Sequence, residues 1–146
     1  MGKKAPNSQW EPYQISRDHK PELPDEYKRI IANKGRIFPF TDEQGNKIGP
    51  YRVWHPNYPY PGLAMSRSLG DEVSHQFGVT SDPEISEYEI QPEDKYIILA
   101  SDGIWEFLEN EEVIDILSVG IDNGDYKKAA EDVVNQAHKQ WTINDN

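Results

Sequence analysis

A continuous apolar run, Tyr96–Ala100, ends at Ser101-Asp102-Gly103. A short run rich in β-branched and aromatic residues is typical of a strand that is buried on both faces. Gly103 can adopt backbone conformations that other residues avoid, so the chain can turn sharply just after Asp102. The pattern therefore predicts a central strand over 95–101, with a carboxylate at the mouth of the strand.

The carboxylate of Asp102 allows two interpretations. In the first, Asp102 is a turn residue whose side chain accepts a local hydrogen bond, and spacing alone favours this role. In the second, it is a ligand for a hard cation such as Mg²⁺ or Mn²⁺, because an oxygen donor on a rigid strand end is held ready for such an ion. The sequence around it must decide between them.

Composition excludes several classes of partner and mechanism. The chain has 146 residues, no cysteine and a net charge of −11. The negative charge argues against binding to nucleic acid or to an anionic membrane. The absence of cysteine excludes disulfides, thiolate metal sites and a cysteine-based phosphatase mechanism, and it suits a cytoplasmic or nuclear location. No apolar run approaches the length of a membrane span, and Pro6 argues against a myristoylation signal.

Hydrophobic periodicity predicts an α+β fold with mainly antiparallel sheets flanked by helices. Strands are predicted at 13–16, 36–40, 51–54, 85–90 and 95–101, and helices at 22–33, 110–119 and 126–140. The tight turn at 91–94 predicts that the last two strands form an antiparallel hairpin.

Four further expectations concern single features. Residues 1–9 are polar and small, which predicts a frayed terminus. Residues 41–62 contain prolines at positions that limit hydrogen bonding, so this region is predicted to be the least protected internal segment. The spacing of Arg67 and Asp71 predicts a structural ion pair, and Trp141 lies on an apolar helical stripe that predicts a core position.

Three motifs, in order along the chain, resemble those of the metal-dependent protein phosphatases of type 2C. They are Ser16-Arg17-Asp18-His19-Lys20-Pro21, the stretch 61–71 (PGLAMSRSLGD) and the stretch 98–113 (ILASDGIWEFLENEEV). They span nearly the whole chain, so the resemblance is specific. It implies that the predicted elements are part of an α-β-β-α sandwich and that 41–62 is a flap-like region beside the active site.

The resemblance implies a protein serine/threonine phosphatase, with a phosphoprotein as substrate. Members of this family use water activated by divalent metal ions, Mg²⁺ or Mn²⁺, and no catalytic side chain is implied. Asp102 is implied to be a metal ligand, and Gly103 to allow close backbone approach to the metal. Glu106 lies where the family often carries an aspartate that helps to hold a third, weaker ion, and its side chain is longer by one methylene.

The family's Asp-Gly-His-Gly motif and its early phosphate-binding arginine have no counterpart in the sequence. The chain therefore resembles the C-terminal half of the catalytic domain, and the missing N-terminal half is an expected partner. Asp145 matches the family's closing metal ligand only superficially, and its role is left open. The first hypothesis is an incomplete phosphatase domain. The alternative is a non-catalytic binding or regulatory module that retains half of the fold, and the ordered motifs disfavour a third hypothesis, an unrelated acidic domain.

Overall fold

The computed structural model describes residues 1–7 and 9–144 and shows an α+β fold with antiparallel sheets, as the sequence predicts. Its helices and strands, in chain order, are β1 Gly2–Lys4, β2 Trp10–Pro12, α1 Pro24–Ala32, β3 Arg36–Thr41, β4 Lys47–Trp54, β5 Pro61–Leu63, α2 Glu72–His75, β6 Asp94–Tyr96, α3 Asp102–Trp105, α4 Asn110–Asp122 and α5 Tyr126–Asn144. Two compact units result: Met1–Ser16 together with Ser86–Asn146, and Arg17–Ile85. Among the described residues, no helix is both long and apolar enough to cross a membrane.

The first unit contains a three-stranded sheet in the order β2-β1-β6, with both pairs antiparallel. The expectation of a frayed terminus is therefore wrong for Gly2–Lys4, which forms the central strand. Gly2 lies against the ring of Tyr96 on the neighbouring strand, where a larger residue would collide with the ring unless Tyr96 moved. The terminal ammonium group also donates a hydrogen bond of 2.9 Å to the carbonyl oxygen of Tyr13.

Two predicted strands of this unit are shorter or absent. Residues 85–90 form no strand, so the predicted hairpin with 95–101 is wrong. The strand predicted over 95–101 ends at Tyr96, and it is not buried on both faces, since Ile97 is 62% and Leu99 87% exposed. The strand predicted over 13–16 lies earlier, at Trp10–Pro12.

The helices of the first unit supply its core. The residues buried between α4, α5 and the segment before α4 are Leu108, Val113, Leu117, Ala129, Val133 and Ala137. Asp125 precedes α5 and caps it by accepting a hydrogen bond of 3.0 Å from the backbone N–H of Lys128. The prediction of a core position for Trp141 is wrong. Trp141 is 50% exposed, and its ring stacks on Phe107.

The second unit packs α1 against an antiparallel sheet in the order β3-β4-β5. The amphipathic pattern over 22–33 correctly predicts α1, which begins at Pro24, a residue that suits a first helical turn. The core of this unit consists of Ile30, Val53, Phe77 and Val79. Ile30 and Val53 are fully buried, so α1 and β4 both contribute to the centre of this core.

Candidate functional site

Asp102 is the first residue of α3, a helix of four residues that follows the end of the apolar run. The backbone N–H of Glu106 donates to the carbonyl oxygen of Asp102 at 2.8 Å, and the indole N–H of Trp105 donates to the carbonyl oxygen of Ala100 at 3.0 Å. Leu108, which is buried, anchors the chain just beyond this turn. The backbone that carries Asp102 is thus held by local hydrogen bonds and a core contact, while its side chain is exposed.

Gly103 and Glu106 lie in the same exposed turn. Gly103 has an ordinary helical backbone, and a Cβ atom there would meet only the Ser101 hydroxyl, at 3.5 Å. The fold of this chain therefore does not itself require glycine at position 103. Glu106 follows Asp102 by four residues, a spacing that places both carboxylates on one side of a helical turn.

Asp102 and Glu106 carry side-chain oxygens of the kind that a hard cation prefers, but two carboxylates are too few to form a full set of ligands. Carboxylate oxygens are the preferred ligands of Mg²⁺ and Mn²⁺, and such ions require about six oxygen donors. The described part of the chain holds no group of three or more His, Cys, Asp or Glu residues that could hold a metal ion. A metal-binding role for Asp102, Gly103 and Glu106 therefore stays a prediction. Asp145, whose role the sequence leaves open, lies outside the described residues.

A second set of charged side chains, in the unit Arg17–Ile85, surrounds the fully buried carboxylate of Glu26. Arg67 and Arg29 each approach this carboxylate to 2.5 Å, one at each oxygen. Arg29 also donates to the carbonyl oxygens of Gly78 at 2.8 Å and Ser66 at 2.9 Å. Glu26 thus connects α1 to the stretch that carries the SRSLGD motif.

The outer part of this charge network is formed by Arg17, Asp25, Glu84 and His19. Arg17 binds both carboxylate oxygens of Asp25 at 2.9 Å and approaches Glu84 at 2.8 Å. His19 lies 3.1 Å from the same Glu84 oxygen. The first motif, which contains Arg17 and His19, is therefore fixed to the end of this unit by ion pairs that are partly open to solvent.

The charge network changes the pKa values of its acidic and basic side chains. Burial alone would raise the pKa of Glu26, but hydrogen bonds from Arg29 and Arg67 outweigh burial and hold the pKa well below its ordinary value of 4.5. Hydrogen bonds from Arg17 and then His19 lower the pKa of Glu84. The hydrogen bond to Glu26 raises the pKa of Arg67. Glu26 is therefore ionised at neutral pH in spite of its burial.

The ion pair predicted between Arg67 and Asp71 is wrong. Arg67 is directed to Glu26, and Asp71 is an exposed residue with a left-handed backbone (φ 49°) that precedes α2. Sequence spacing could not reveal a partner 41 positions away. The local sequence signal for the buried charge network was the spacing of Glu26 and Arg29, which are three residues apart on α1. This spacing is typical of an ordinary ion pair on a helix surface.

Comparison with known proteins shows what this chain is similar to. A sequence profile of the family described as protein phosphatase 2C matches residues 7–145. Probable protein phosphatase 2C 73 of Arabidopsis thaliana is 44% identical over 128 residues, which are 88% of this chain and 32% of the relative. Probable protein phosphatase 2C 52 of the same plant is 39% identical over 143 residues, 98% of this chain and 29% of the relative. The chain thus spans about a third of the length of these relatives.

Solved structures show the same fold at low sequence identity. A serine-threonine phosphatase 2C from Toxoplasma gondii superposes with a TM-score of 0.78 at 22% identity, covering 99% of this chain and 46% of that one. A sex-determining protein of C. elegans superposes with a TM-score of 0.70 at 21% identity, covering 95% of this chain and 31% of that one. In both, nearly all of this chain corresponds to a minor part of the larger chain.

Proposed function

This chain belongs to the protein phosphatase 2C family, and from that premise we propose that it is one portion of a metal-dependent protein serine/threonine phosphatase domain. Its reaction is hydrolysis of phosphoserine and phosphothreonine in phosphoprotein substrates. The observation that carries the proposal is the family match over residues 7–145, together with 44% identity to a phosphatase 2C of Arabidopsis thaliana. Since the chain spans 32% of that relative, it contributes part of the domain's chemistry.

Within that domain, Asp102 is proposed as a metal ligand. Its carboxylate is exposed, its backbone is held by the hydrogen bonds of α3, and it needs no movement of the core to reach an ion. Gly103 leaves open space beside it, which allows a metal or a bound water to approach the backbone. Glu106, on the same side of the turn, is proposed to hold a weaker additional ion.

A bound Mg²⁺ or Mn²⁺ supplies a water of lowered pKa and stabilises charge on the phosphoryl oxygens. The work of this chain is to hold oxygen donors in a fixed position, because a misplaced ligand costs much of the rate. Asp102 stands on a turn anchored by Leu108 and by the Trp105 indole, which supports that positioning role.

Three less detailed proposals accompany this function. The segment 41–62 is proposed as a flap-like region near the substrate, with its exposed tyrosines Tyr58 and Tyr60 stacked on each other. The missing N-terminal half of the domain is proposed as the partner that supplies the other metal ligands. A cytoplasmic or nuclear location is proposed because the chain carries no cysteine.

A non-catalytic binding or regulatory module is the second candidate. It is favoured by the exposed turn at Asp102, where the described residues do not gather three metal-ligating side chains. Manganese-dependent turnover in a completed domain separates the two candidates, because a module without a metal centre would remain inactive.

The test is a chimera in which this chain replaces the matching segment of the Arabidopsis thaliana relative. Hydrolysis of a phosphopeptide is measured with and without Mn²⁺, for the chimera and for its Asp102→Ala variant. We expect Asp102→Ala to lower kcat by about a hundredfold or more, since it removes a metal ligand from the reaction centre. Circular dichroism should be unchanged because Asp102 lies outside the core.

Glu111→Ala is the matched control, since Glu111 is an exposed acid in the first turn of α4 and should leave turnover unaffected. Near-normal turnover of Asp102→Ala would show that Asp102 is a turn residue and not a metal ligand. Rapid turnover by the 146-residue chain alone would show that it builds a complete site, and the partial-domain proposal would fail.

A further inference from the structure

The hairpin formed by β3 and β4 has two faces of different character. Residues directly opposite each other on paired strands lie on the same face of a sheet. Ile37 pairs with Val53, and their face packs with Ile30 of α1 in the core of the unit. The opposite face, called here the open face of the hairpin, carries Arg36, Phe38, Phe40, Ile48, Arg52 and Trp54. None of these six residues is acidic.

The aromatic rings of the open face form a fixed row. Phe38 stacks on Trp54 with the ring centroids 5.1 Å apart, and Phe40 contacts the same indole edge-on at 5.2 Å. The Trp54 indole N–H donates to the carbonyl oxygen of Phe38 at 2.7 Å. Trp54 itself is buried. Phe38 is 39%, Phe40 49% and Ile48 51% exposed. The row therefore presents apolar surface whose side chains are already ordered, which lowers the entropy cost of binding.

Two arginine side chains lie over this row. The guanidinium of Arg36 lies 5.3 Å from the centre of the Phe38 ring, and that of Arg52 lies 4.9 Å from the centre of the Phe40 ring. Hydrogen bonds to backbone carbonyl oxygens fix both guanidinium groups, at 2.9 and 3.0 Å for Arg36 and at 2.7 Å for Arg52. Within the part of the chain that the structure describes, neither forms an ion pair with an acidic side chain. Each therefore presents an uncompensated positive charge beside an exposed ring.

Positive charge is concentrated in the stretch of sequence that contains this hairpin. Residues 27–67 contain seven basic and two acidic residues, a net charge of +5, whereas the remaining eight basic and 24 acidic residues give −16. The two acidic residues of this stretch, Asp42 and Glu43, lie in the turn between the strands. Two of its seven basic residues are bound by the buried carboxylate of Glu26. The other five provide a local attraction for anions in a chain whose net charge is −11.

The chemistry of the open face favours a short acidic segment of protein over other anions. Arginine binds carboxylates through two donors in a fixed geometry, and arginine clusters are a recurring device for the recognition of acidic motifs. Nucleic acids and anionic membranes are extended polyanions, and the acidic remainder of the chain would repel them. A short peptide contacts the basic and aromatic surface alone.

We propose that the open face of the β3–β4 hairpin is a docking surface for an acidic segment of a partner protein, in which carboxylates alternate with apolar side chains. The carboxylates bind Arg36 and Arg52. The apolar side chains cover Phe38, Phe40 and Ile48. This inference goes beyond hydrolysis of a phosphoprotein, because it assigns a second binding surface and the class of partner that the surface recognises.

The probe for the test is a fluorescent peptide, Glu-Ser-Val-Ser-Glu-Ser-Val-Ser-Glu, which places glutamate and valine alternately on one side of an extended chain. Its binding to the 146-residue chain is measured by fluorescence anisotropy in metal-free buffer. We expect saturable binding that weakens as salt is added, and no binding of the same peptide with lysine in place of glutamate. Arg52→Gln should weaken binding about tenfold, because a charge-assisted contact is lost. Phe40→Ala should weaken it about fivefold through loss of the exposed ring.

Matched controls lie on α1, which packs on the other face of the hairpin. Lys28→Gln removes the same charge as Arg52→Gln, and Tyr27→Ala removes an aromatic ring that is 46% exposed. Both controls should leave the affinity for the peptide unchanged. Thermal unfolding shows whether each variant folds, and Phe40→Ala carries the test if Arg52→Gln unfolds.

Three results would overturn the docking surface. They are failure of the acidic peptide to bind saturably, equal weakening by the variants and their controls, and tighter binding of oligodeoxythymidine, which would assign the face to nucleic acid. Self-association of the chain that Phe40→Ala abolishes would assign the face to a second copy and would also overturn it. The assay contains no metal and no phosphoryl group, so its result does not depend on phosphatase activity and the two proposals fail separately.

Discussion

Replacement of Glu26 by glutamine tests whether the buried charge network holds the unit Arg17–Ile85 together. The Glu26 side chain is fully buried, and the substitution removes the anion between Arg29 and Arg67 while the size of the side chain is preserved; Arg67 keeps only Glu84, at 3.8 Å. Loss of one member of a fully enclosed pair costs about 3–5 kcal/mol. The side chains of Arg29 and Arg67 are 28% and 17% exposed, and water can partly solvate them. We therefore expect a loss of about 2–3 kcal/mol in the free energy of unfolding of this unit.

The pH dependence gives this prediction a signature that a packing defect would lack. The pKa of Glu26 is lowered from 4.5, so the stabilisation is fully present above that pH and is lost as pH falls toward the native pKa. The difference in the free energy of unfolding between wild type and Glu26→Gln should therefore decrease as the pH falls from about 5 to about 3. Native-state hydrogen exchange at the amides of Ile30 and Val53, both fully buried, measures the free energy of unfolding for this unit.

Glu22→Gln serves as the control, because Glu22 is exposed and precedes α1, and it should be nearly neutral at every pH. A loss below about 0.5 kcal/mol for Glu26→Gln would refute the reasoning, because it would place Glu26 in the range of surface pairs. A loss that stays constant down to pH 3 would also refute it, since the effect would then come from packing.

Two further predictions concern the unit that contains residues 86–146. Chymotrypsin should cut after Leu99, which is 87% exposed, before it cuts after Tyr51 or Trp54 of β4, a strand that is paired on both sides. This prediction reverses the expectation that 41–62 is the least protected internal segment. First cleavage at β4, identified by mass spectrometry, would contradict the prediction. Asp125→Ala should lower the free energy of unfolding by about 1 kcal/mol through loss of the α5 cap, whereas Asp125→Ser should retain most of it; equal urea midpoints for wild type and Asp125→Ala would show that the cap contributes nothing.

Local pattern was sufficient for most of the regular structure. Helices α1, α4 and α5 were predicted because each carries an apolar stripe at helical spacing, flanked by residues that suit helix ends. The strand predicted at 36–40 matches β3, and the strand predicted at 51–54 covers the second half of β4. In the turn between them, the carboxylate of Asp42 accepts backbone hydrogen bonds from Gln44 and Asn46. Such features depend on neighbours a few residues apart, and these are visible in any sequence.

The family and Asp102 were also accessible from the sequence, because ordered motifs carry the resemblance. The role of Asp102 stays a prediction, since the described residues contain no group of three or more His, Cys, Asp or Glu that could hold a metal ion. The exposure of Ile97 and Leu99 was not predicted, because a short apolar run of this kind is typical of a strand that is buried on both faces.

Long-range partners were decided only by the tertiary structure. Gly2–Lys4 reads as a polar terminus, yet it is the central strand because β2 and β6 offer it backbone partners on both sides. Glu26 reads as a surface residue of α1, yet it is buried because Arg67, 41 positions away, neutralises it. Hydrophobic periodicity predicts which face of a helix or strand is buried. It does not predict which distant backbone segment or charged side chain packs against that face.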